Sequence, residues 1–330
     1  MGIVDAQAVQ HADRLGRKTA LRHAGLAFHE EHHAAGLQQR IDTGTQGGIE
    51  RHGSTSVAAW RPGILRRMAS LGMTTPETLY RTPSRPYRWV GLFALSQVAV
   101  ALLWWHLGWA WGLPALLLSH ALFVVPVFLP RARLYAPVLA RLPGRAPQVW
   151  LTIDDGPSDD TPAILDLLDA YDAKATFFVV GARAEQRPEL VREMVRRGHG
   201  IGNHSHTHPQ AWFWALGPRR MAQEIGQAQR VLACITGQAP RLYRSVVGMT
   251  NPFVASPLRA HGLTRVAWSA RGFDGVRCEP DITIARIVRD LQPGAIVLLH
   301  EGAAHGHNLT ILRGVLEAMR ARGLVGRRPD

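Results

Sequence analysis

The sequence predicts an α/β fold of parallel strands preceded by a hydrophobic helical hairpin. Two observations carry this. Between residues 148 and 324, short apolar runs alternate with amphipathic stretches of helical length, the pattern of repeated β-α units with crossover helices. Upstream, 89–129 is a run of about 40 residues without Asp, Glu, Lys or Arg, long enough for apolar helices that cross a bilayer.

The N-terminal segment 1–72 is rich in Ala, Gly, His, Arg and Gln and has little periodicity. Its run His29, Glu30, Glu31, His32, His33 lacks metal-ligand spacing and reads as solvated polar chain. Met68 and Met73 are alternative starts, so we expect a poorly structured extension that an early start codon would explain. The hairpin region is 73–130. Trp89 to Trp111 is the first apolar stretch, Gly112, Leu113 and Pro114 are the expected break, and Ala115 to Leu129 is the second. Trp104, Trp105, Trp109 and Trp111 cluster as an interfacial aromatic belt does. The competing reading is a helical hairpin buried in a soluble protein. Arg81, Arg85 and Arg88 precede the pair, and Arg131, Arg133, Arg141 and Arg145 follow it. If both stretches span, basic flanks around an uncharged turn place both flanks in the cytoplasm; if only the first spans, the following domain lies outside instead. The expected location is therefore the inner (cytoplasmic) membrane, with the following domain on the cytoplasmic side.

A Pro- and Arg-rich linker, 131–147, leads to the main domain, 148–324, and 325–330 is a tail. Within the domain, Val149–Ile153 and Ala175–Val180 are predicted strands. Gly200–Gly202 leads into a histidine cluster, and Val266–Trp268 and Ala295–Leu299 complete the strand pattern. Helices are predicted over Ala163–Tyr171, Pro188–Arg197, Arg219–Ile235 and Leu309–Arg322. Polar residues at the carboxyl ends of such strands are where parallel α/β barrels place their sites.

The formal net charge is +13. Lys18 and Lys174 are the only lysines, and the arginines form no stripe interleaved with aromatics, so nucleic acid is not expected as a partner. An anionic membrane surface fits better. Cys234 and Cys278 form no CxxC pattern and read as structural, buried thiols.

Five segments carry the chemistry: TIDDGP, NHSHTHP, YRSVVG, WSARGFDG and LLH, in that order from Thr152 to His300. Asp154 and Asp155 end a predicted strand, where neighbouring side chains point apart. The two carboxylates can thus serve a metal and a water, although Asp-Gly-Pro also suits an ordinary turn. His204 and His208 are four apart, and Pro209 disfavours a helix at His208, which puts the pair on a loop or single turn. With a distant Asp they offer three ligands and leave positions open, as a catalytic metal site requires. His206, between them, is expected to point away.

These segments together resemble the polysaccharide deacetylase (NodB-homology) family, carbohydrate esterase family four, over 148–324. TIDDGP is similar to the family's TFDDGP, NHSHTHP to its H-[ST]-x-x-H, and LLH to its final L-x-H. The resemblance implies a distorted (β/α) barrel of about seven strands. It implies Asp154 as catalytic base and Asp155, His204 and His208 as ligands of one divalent metal. Zinc is the default, with cobalt, nickel, manganese and iron compatible. It also implies Arg244 holding the base, Asp274 orienting the acid His300, and Leu298 lining the acyl pocket. Val247 would offer its backbone N–H to an oxyanion, and Trp268 would line the substrate cleft. The implied activity is metal-dependent removal of an N-acetyl or N-formyl group from an amino sugar in a glycan or a lipid-linked saccharide. A membrane-anchored glycan-binding protein with a residual metal site and a hydrolase of a non-sugar amide are the alternatives.

Two departures stand out. Where the family usually has R-P-P-Y-G, this chain has Arg244, Ser245, Val246, Val247, Gly248; where it usually has Trp after the fourth-motif Asp, this chain has Gly275. Both remove walls that grip a polymeric sugar. Trp212 and Trp214 are left either to replace that surface, to face a membrane, or to pack in the core.

Overall fold

The computed structural model describes residues 79–144, 146–276 and 278–329; the expectations for 1–72, including the His29–His33 run, lie outside them. The hairpin is α1 (Arg88–Leu107) and α2 (Trp109–Val124), the latter extended by a 3-10 turn, Val125–Phe128. The reversal falls at Gly108, four residues before the expected break, because Gly108 takes φ 77°, ψ −175°, a conformation essentially limited to glycine. Trp109 and Trp111 thus begin the second helix, and Pro114 lies inside it. Gly112 has a packing role instead, since a Cβ there would sit 2.4 Å from the Trp104 ring.

Arg88–Leu107 and Trp109–Phe128 are each 20 residues and apolar enough to cross a membrane. Most of their large side chains point outwards, among them Leu95, Leu102, Trp105, Leu117 and Leu122. The described residues therefore leave most of the hairpin unburied. Three polar side chains meet between the helices: Ser96 and Gln97 both contact Ser119, at 2.9 and 2.8 Å. Interhelical pairing of this kind satisfies polar groups in an apolar surrounding.

The domain is a parallel sheet of β1 (Gln148–Gly156), β2 (Ala175–Val179), β3 (Gly200–Asn203), β4 (Leu242–Tyr243), β5 (Thr264–Arg265), β6 (Ala270–Arg271) and β7 (Ile296–His300). Their order is β5-β4-β3-β2-β1-β7-β6, the curled, distorted barrel of seven parallel strands that the sequence implies. An eighth strand, β8 (Val325–Gly326), pairs with the start of β1, so the residues set aside as a tail belong to the sheet. Helices α3 (Thr161–Ala170), α4 (Gly181–Gln186), α5 (Pro188–Arg196), α6 (Pro218–Thr236), α7 (Ala255–Ala260), α8 (Pro280–Arg289) and α9 (Asn308–Ala321) fill the crossovers.

The expected strand Val266–Trp268 lies two residues late. Pairing with β4 ends at Arg265, and Val266 instead bridges Leu139 in parallel. Leu139 exchanges backbone bonds with Arg265 and Ala267, and Leu142 bonds Gly294. The predicted linker therefore covers the β5 edge and reaches the start of β7, satisfying backbone groups an open edge would leave exposed. It also buries Tyr135, Ala136, Val138 and Leu142. Cys278 is half-buried, but Cys234 is exposed on α6, because the apolar face of that helix falls at Met221, Ile225, Ala228 and Leu232.

Alternation along the central strands sorts the side chains. Val149, Leu151, Ile153, Phe177, Val179, Val297 and Leu299 pack under the helices. Trp150, Phe178, Ile296 and Leu298 fill the barrel interior. Both faces of β1, β2 and β7 are covered, which is why these strands read as nearly continuous apolar runs. Thr152, Asp154 and His300 continue the interior set towards the carboxyl ends.

Candidate active site

Register brings the first pair together. Thr152 lies opposite Leu298, and Asp154 opposite His300. Simple alternation would turn Asp155 to the other face. It does not, because the β1–β2 register shifts between Asp154 and Gly156 and Asp155 takes φ 72°. An aspartate tolerates that left-handed conformation better than most residues, and a bulge re-aims its side chain. Both carboxylates therefore face one cleft: His204 Nε2 is 3.8 Å from Asp154 Oδ2 and 3.5 Å from Asp155 Oδ1.

The metal candidates converge. Asp155 Oδ1 is 3.0 Å from His208 Nε2, and the ligand atoms of Asp155, His204 and His208 all lie within 4.8 Å of one another. The loop holding the histidines is non-helical, as Pro209 predicts. It is pinned from β3 and α6: Ser205 N–H donates to Asn203, and buried Glu224 accepts from the N–H groups of His206 and Thr207 and from the Thr207 hydroxyl. His204 Nδ1 contacts the Arg244 carbonyl at 2.9 Å, which fixes the ring and leaves Nε2 for an ion. His206 points away, with Nε2 3.9 Å from Glu185.

The donor set fits a divalent cation. Asp155 Oδ1 is buried and accepts no hydrogen bond from the described residues, a costly state for an anionic oxygen unless a cation meets it. Electrostatics agree. Burial opposes charge on His204, yet Asp154 and Asp155 raise its pKa. Burial likewise opposes ionisation of Asp155, yet the two histidines pull its pKa well below the carboxylate range. Two imidazoles and one carboxylate suit zinc and its neighbours.

Asp154 is nearly inaccessible, and its Oδ1 is engaged. Arg244 Nη1 donates to its Oδ1 at 2.8 Å and to Thr152 Oγ1 at 2.7 Å. Arg244 Nη2 donates to the Ala267 carbonyl at 3.1 Å, and its guanidinium stacks 4.2 Å from the Phe178 ring. Burial lowers the arginine's pKa and the Asp154 charge works against that; an arginine stays charged throughout the useful pH range.

Across the cleft, Asp274 holds His300 twice, accepting from its backbone N–H at 2.7 Å and facing Nδ1 at 3.1 Å. Burial opposes the imidazolium, but Asp274 outweighs it, and the pKa is pushed up to about 9. Gly275 is packed against this ring: a Cβ there would lie 3.0 Å from Nε2. Where a wall residue was expected to be missing, the backbone itself closes on His300.

Val247 sits at φ 45°, ψ 22° and is exposed, a strained state for a β-branched residue and the kind that persists at functional loops. The turn is closed by its neighbours, Gly248 N–H to Ser245 and Met249 N–H to Val246. Gly248, at φ 74°, allows Trp268 and Pro130 to close in. Trp268 and Leu298 line the cleft but are 5% and 4% exposed, so they are walls and not stacking platforms. Trp212 and Trp214 are exposed rather than core, and Trp214 lies 6.0 Å from Phe128 at the foot of the hairpin.

The cleft has a volume of about 170 Å³, small beside the roughly 300–1,000 Å³ of closed small-molecule sites. Its wall includes Gln210, Arg271, Phe273 and Val276, which the motif reading passed over. Arg271 and Phe273 lie within WSARGFDG, three residues and one before Asp274, and their place in that segment was the available signal. Glu301 was also missed. It is buried beneath Gly156, accepts hydrogen bonds from Ser158 and Thr161, and burial raises its pKa to about 7.

The polysaccharide deacetylase family model matches residues 141–266. A chitooligosaccharide deacetylase of Sinorhizobium fredii is 38% identical over 159 residues, 48% of this chain and 73% of the relative. The peptidoglycan-N-acetylglucosamine deacetylase PgdA of Listeria monocytogenes is 34% identical over 155 residues, 47% of this chain but 32% of the relative. Among solved structures, a family 4 carbohydrate esterase from Streptomyces lividans in complex with acetate is similar at TM-score 0.51 and 33% identity, covering 55% of this chain and 92% of that one. A family 4 pseudoenzyme from Bacillus anthracis is similar at TM-score 0.52 and 25% identity, covering 57% of this chain and 66% of that one. The chain belongs to the polysaccharide deacetylase family.

Proposed function

We propose that the protein is a membrane-anchored, metal-dependent N-deacetylase that removes an acetyl or formyl group from an amino sugar held on a lipid. The observation that carries the reaction is one cleft containing the Asp155–His204–His208 set, the Arg244–Asp154 pair and the Asp274–His300 pair. The pseudoenzyme shares the fold, so fold alone does not argue for activity; the side chains do.

Asp155, His204 and His208 would hold a divalent ion, zinc by default, which would supply Lewis acidity towards the acyl oxygen and make water more acidic. Asp154 takes a proton from the attacking water, and Arg244 keeps the carboxylate oriented. The Val247 N–H donates to the oxyanion as the carbonyl becomes tetrahedral. His300, charged because of Asp274, gives its proton to the amide nitrogen as the C–N bond breaks. The products are a free amine and a carboxylate. A binding module would have no need for the acid and base.

The lipid-linked substrate and the membrane anchor are supported by the outward apolar hairpin and by its attachment beside the cleft. Val127 accepts from Thr250 N–H, and Arg131 donates to the carbonyls of Trp268 and Ser269. Trp89 packs edge-on against Tyr135 and Phe253, both 5.8 Å away. The tryptophan cluster lies at the far end, around Gly108. Basic flanks at the domain end favour the cytoplasmic side of the inner membrane.

The test is acetate and formate release by the detergent-purified protein from polyprenyl-linked N-acyl amino sugars and N-acetylglucosamine oligomers, with chelator and with zinc or cobalt restored. Chelator-sensitive release is expected, greatest on the lipid-linked members. Metal bound without release from any substrate would overturn the reading.

A further inference from the structure

Arg271 ends β6 and lines the cleft alongside Asp155, Val247, Phe273 and His300. Register sets it opposite Leu298, the residue assigned to the acyl group. Its guanidinium lies 3.7 Å over the Phe273 ring and 5.3 Å from the Trp268 ring. Aromatic faces hold a guanidinium flat but leave its edge N–H groups free for another partner.

No such partner is present among the described residues. Arg271 Nε is buried and makes no hydrogen bond, and its guanidinium forms no ion pair with any of them. The two fully buried arginines among the described residues are engaged: Arg244 donates to Asp154, Thr152 and two carbonyls, and Arg265 donates to the carbonyls of Pro130 and Ala132. Asp274, three residues along, is no substitute, because both its oxygens face His300. A buried donor without an acceptor is unusual in a folded protein, and at a cleft wall it points to a ligand. Guanidinium edges recognise phosphate and carboxylate oxygens in bidentate fashion. The approach favours phosphate. Arg131, at the foot of the hairpin, holds the carbonyls of Trp268 and Ser269, three and two residues before Arg271, so the segment that carries Arg271 is tied to the foot of the apolar hairpin, where a sugar tethered by phosphate to a membrane lipid would be held.

We propose that Arg271 recognises a phosphate group carried by the acylated amino sugar. This rests on the deacetylase reading and adds to it a requirement for anionic substrate. Arg271 sets specificity and takes no proton.

The test compares kcat/KM for acetate release from N-acetylglucosamine, N-acetylglucosamine 1-phosphate and a polyprenyl-phosphate-linked N-acetyl amino sugar, using the full zinc-loaded chain. Wild type should favour the soluble phosphate over the neutral sugar by at least about tenfold, the worth of one charge-assisted contact. Arg271→Gln should bring that ratio to about one, and Arg271→Lys should leave it between. Taking a ratio removes any general loss of activity. A polyprenyl substrate better than the sugar phosphate identifies a lipid source; equal rates identify free sugar phosphates. A wild-type ratio near one, or an unchanged ratio in Arg271→Gln, overturns the proposal. Calorimetric titration of N-acetylglucosamine 1-phosphate into Asp154→Asn, with and without Arg271→Gln, separates the two readings. Arg271-dependent binding with no hydrolysis by wild type leaves the phosphate site and removes the deacetylase; hydrolysis without phosphate preference does the reverse.

Discussion

Asp154 and His300 are register partners on adjacent parallel strands. One sheet register therefore fixes the proposed base and acid on neighbouring strands of the barrel interior, each with a buried opposite charge behind it. Arg244 backs Asp154 and Asp274 backs His300. Neither partner opens to the cleft, so each orients its residue without competing for substrate.

Asp154→Asn keeps the shape and removes the base. Turnover should fall by about 10²–10⁴-fold, the usual worth of general-base catalysis, with zinc content by elemental analysis unchanged. Unchanged turnover would reject the role.

Removal of the metal should be reversible, and removal of a ligand should weaken its binding. Chelator should abolish acyl release, with zinc or cobalt restoring it. His208→Ala should lower zinc stoichiometry and lose activity that added zinc recovers only in excess, since three ligands become two. Full zinc content in that variant would displace His208 from the site.

Asp274 should set the alkaline limb. His300 titrates near 9 in the folded protein against an ordinary 6.5. As general acid it must be protonated, so kcat/KM should fall as pH rises through about 9. Asp274→Asn removes the stabilising charge and should move that limb to lower pH. The same sign holds for stability: the His300–Asp274 contribution is full below pH 6.5 and lost as pH rises through 9. Thermal denaturation across that window, compared between wild type and Asp274→Asn, reads this directly. An alkaline limb that stays in place would remove His300 as the acid.

Gly112 should control the hairpin. A Cβ there meets the Trp104 ring at 2.4 Å, so Gly112→Val forces the helices apart near the tip. Overpacking of this kind typically costs about 1–3 kcal/mol. Proteolysis in detergent should cut the hairpin faster than in wild type, while zinc binding by the domain is retained. Equal resistance would show that the helices do not pack as described.

Much of the site was legible because its chemistry is local. The pairs Asp154–Asp155 and His204–His208 sit in short segments whose residue types and spacing are rarely combined by chance, and Pro209 announced the loop. The long helices and central strands were legible from periodicity. Two-residue strands such as β4 and β6 were not, since two residues carry no period; β5 was placed two residues late for the same reason. The hairpin reversal was misplaced because Gly-Leu-Pro is a stronger local breaker than a lone Gly108, while contact between Trp104 and Gly112 favours the earlier turn.

By itself, then, the sequence determined the fold class, the apolar hairpin and the residues able to do acid-base and metal chemistry, because these depend on side-chain identity and short-range pattern. Tertiary structure alone decided that Asp155 turns to the same cleft as Asp154, that the supposed linker and tail complete the sheet, and that Arg271 stands at the cleft without an acceptor among the described residues. Each of these depends on strand register and on contacts between residues far apart in the chain, which no local window encodes.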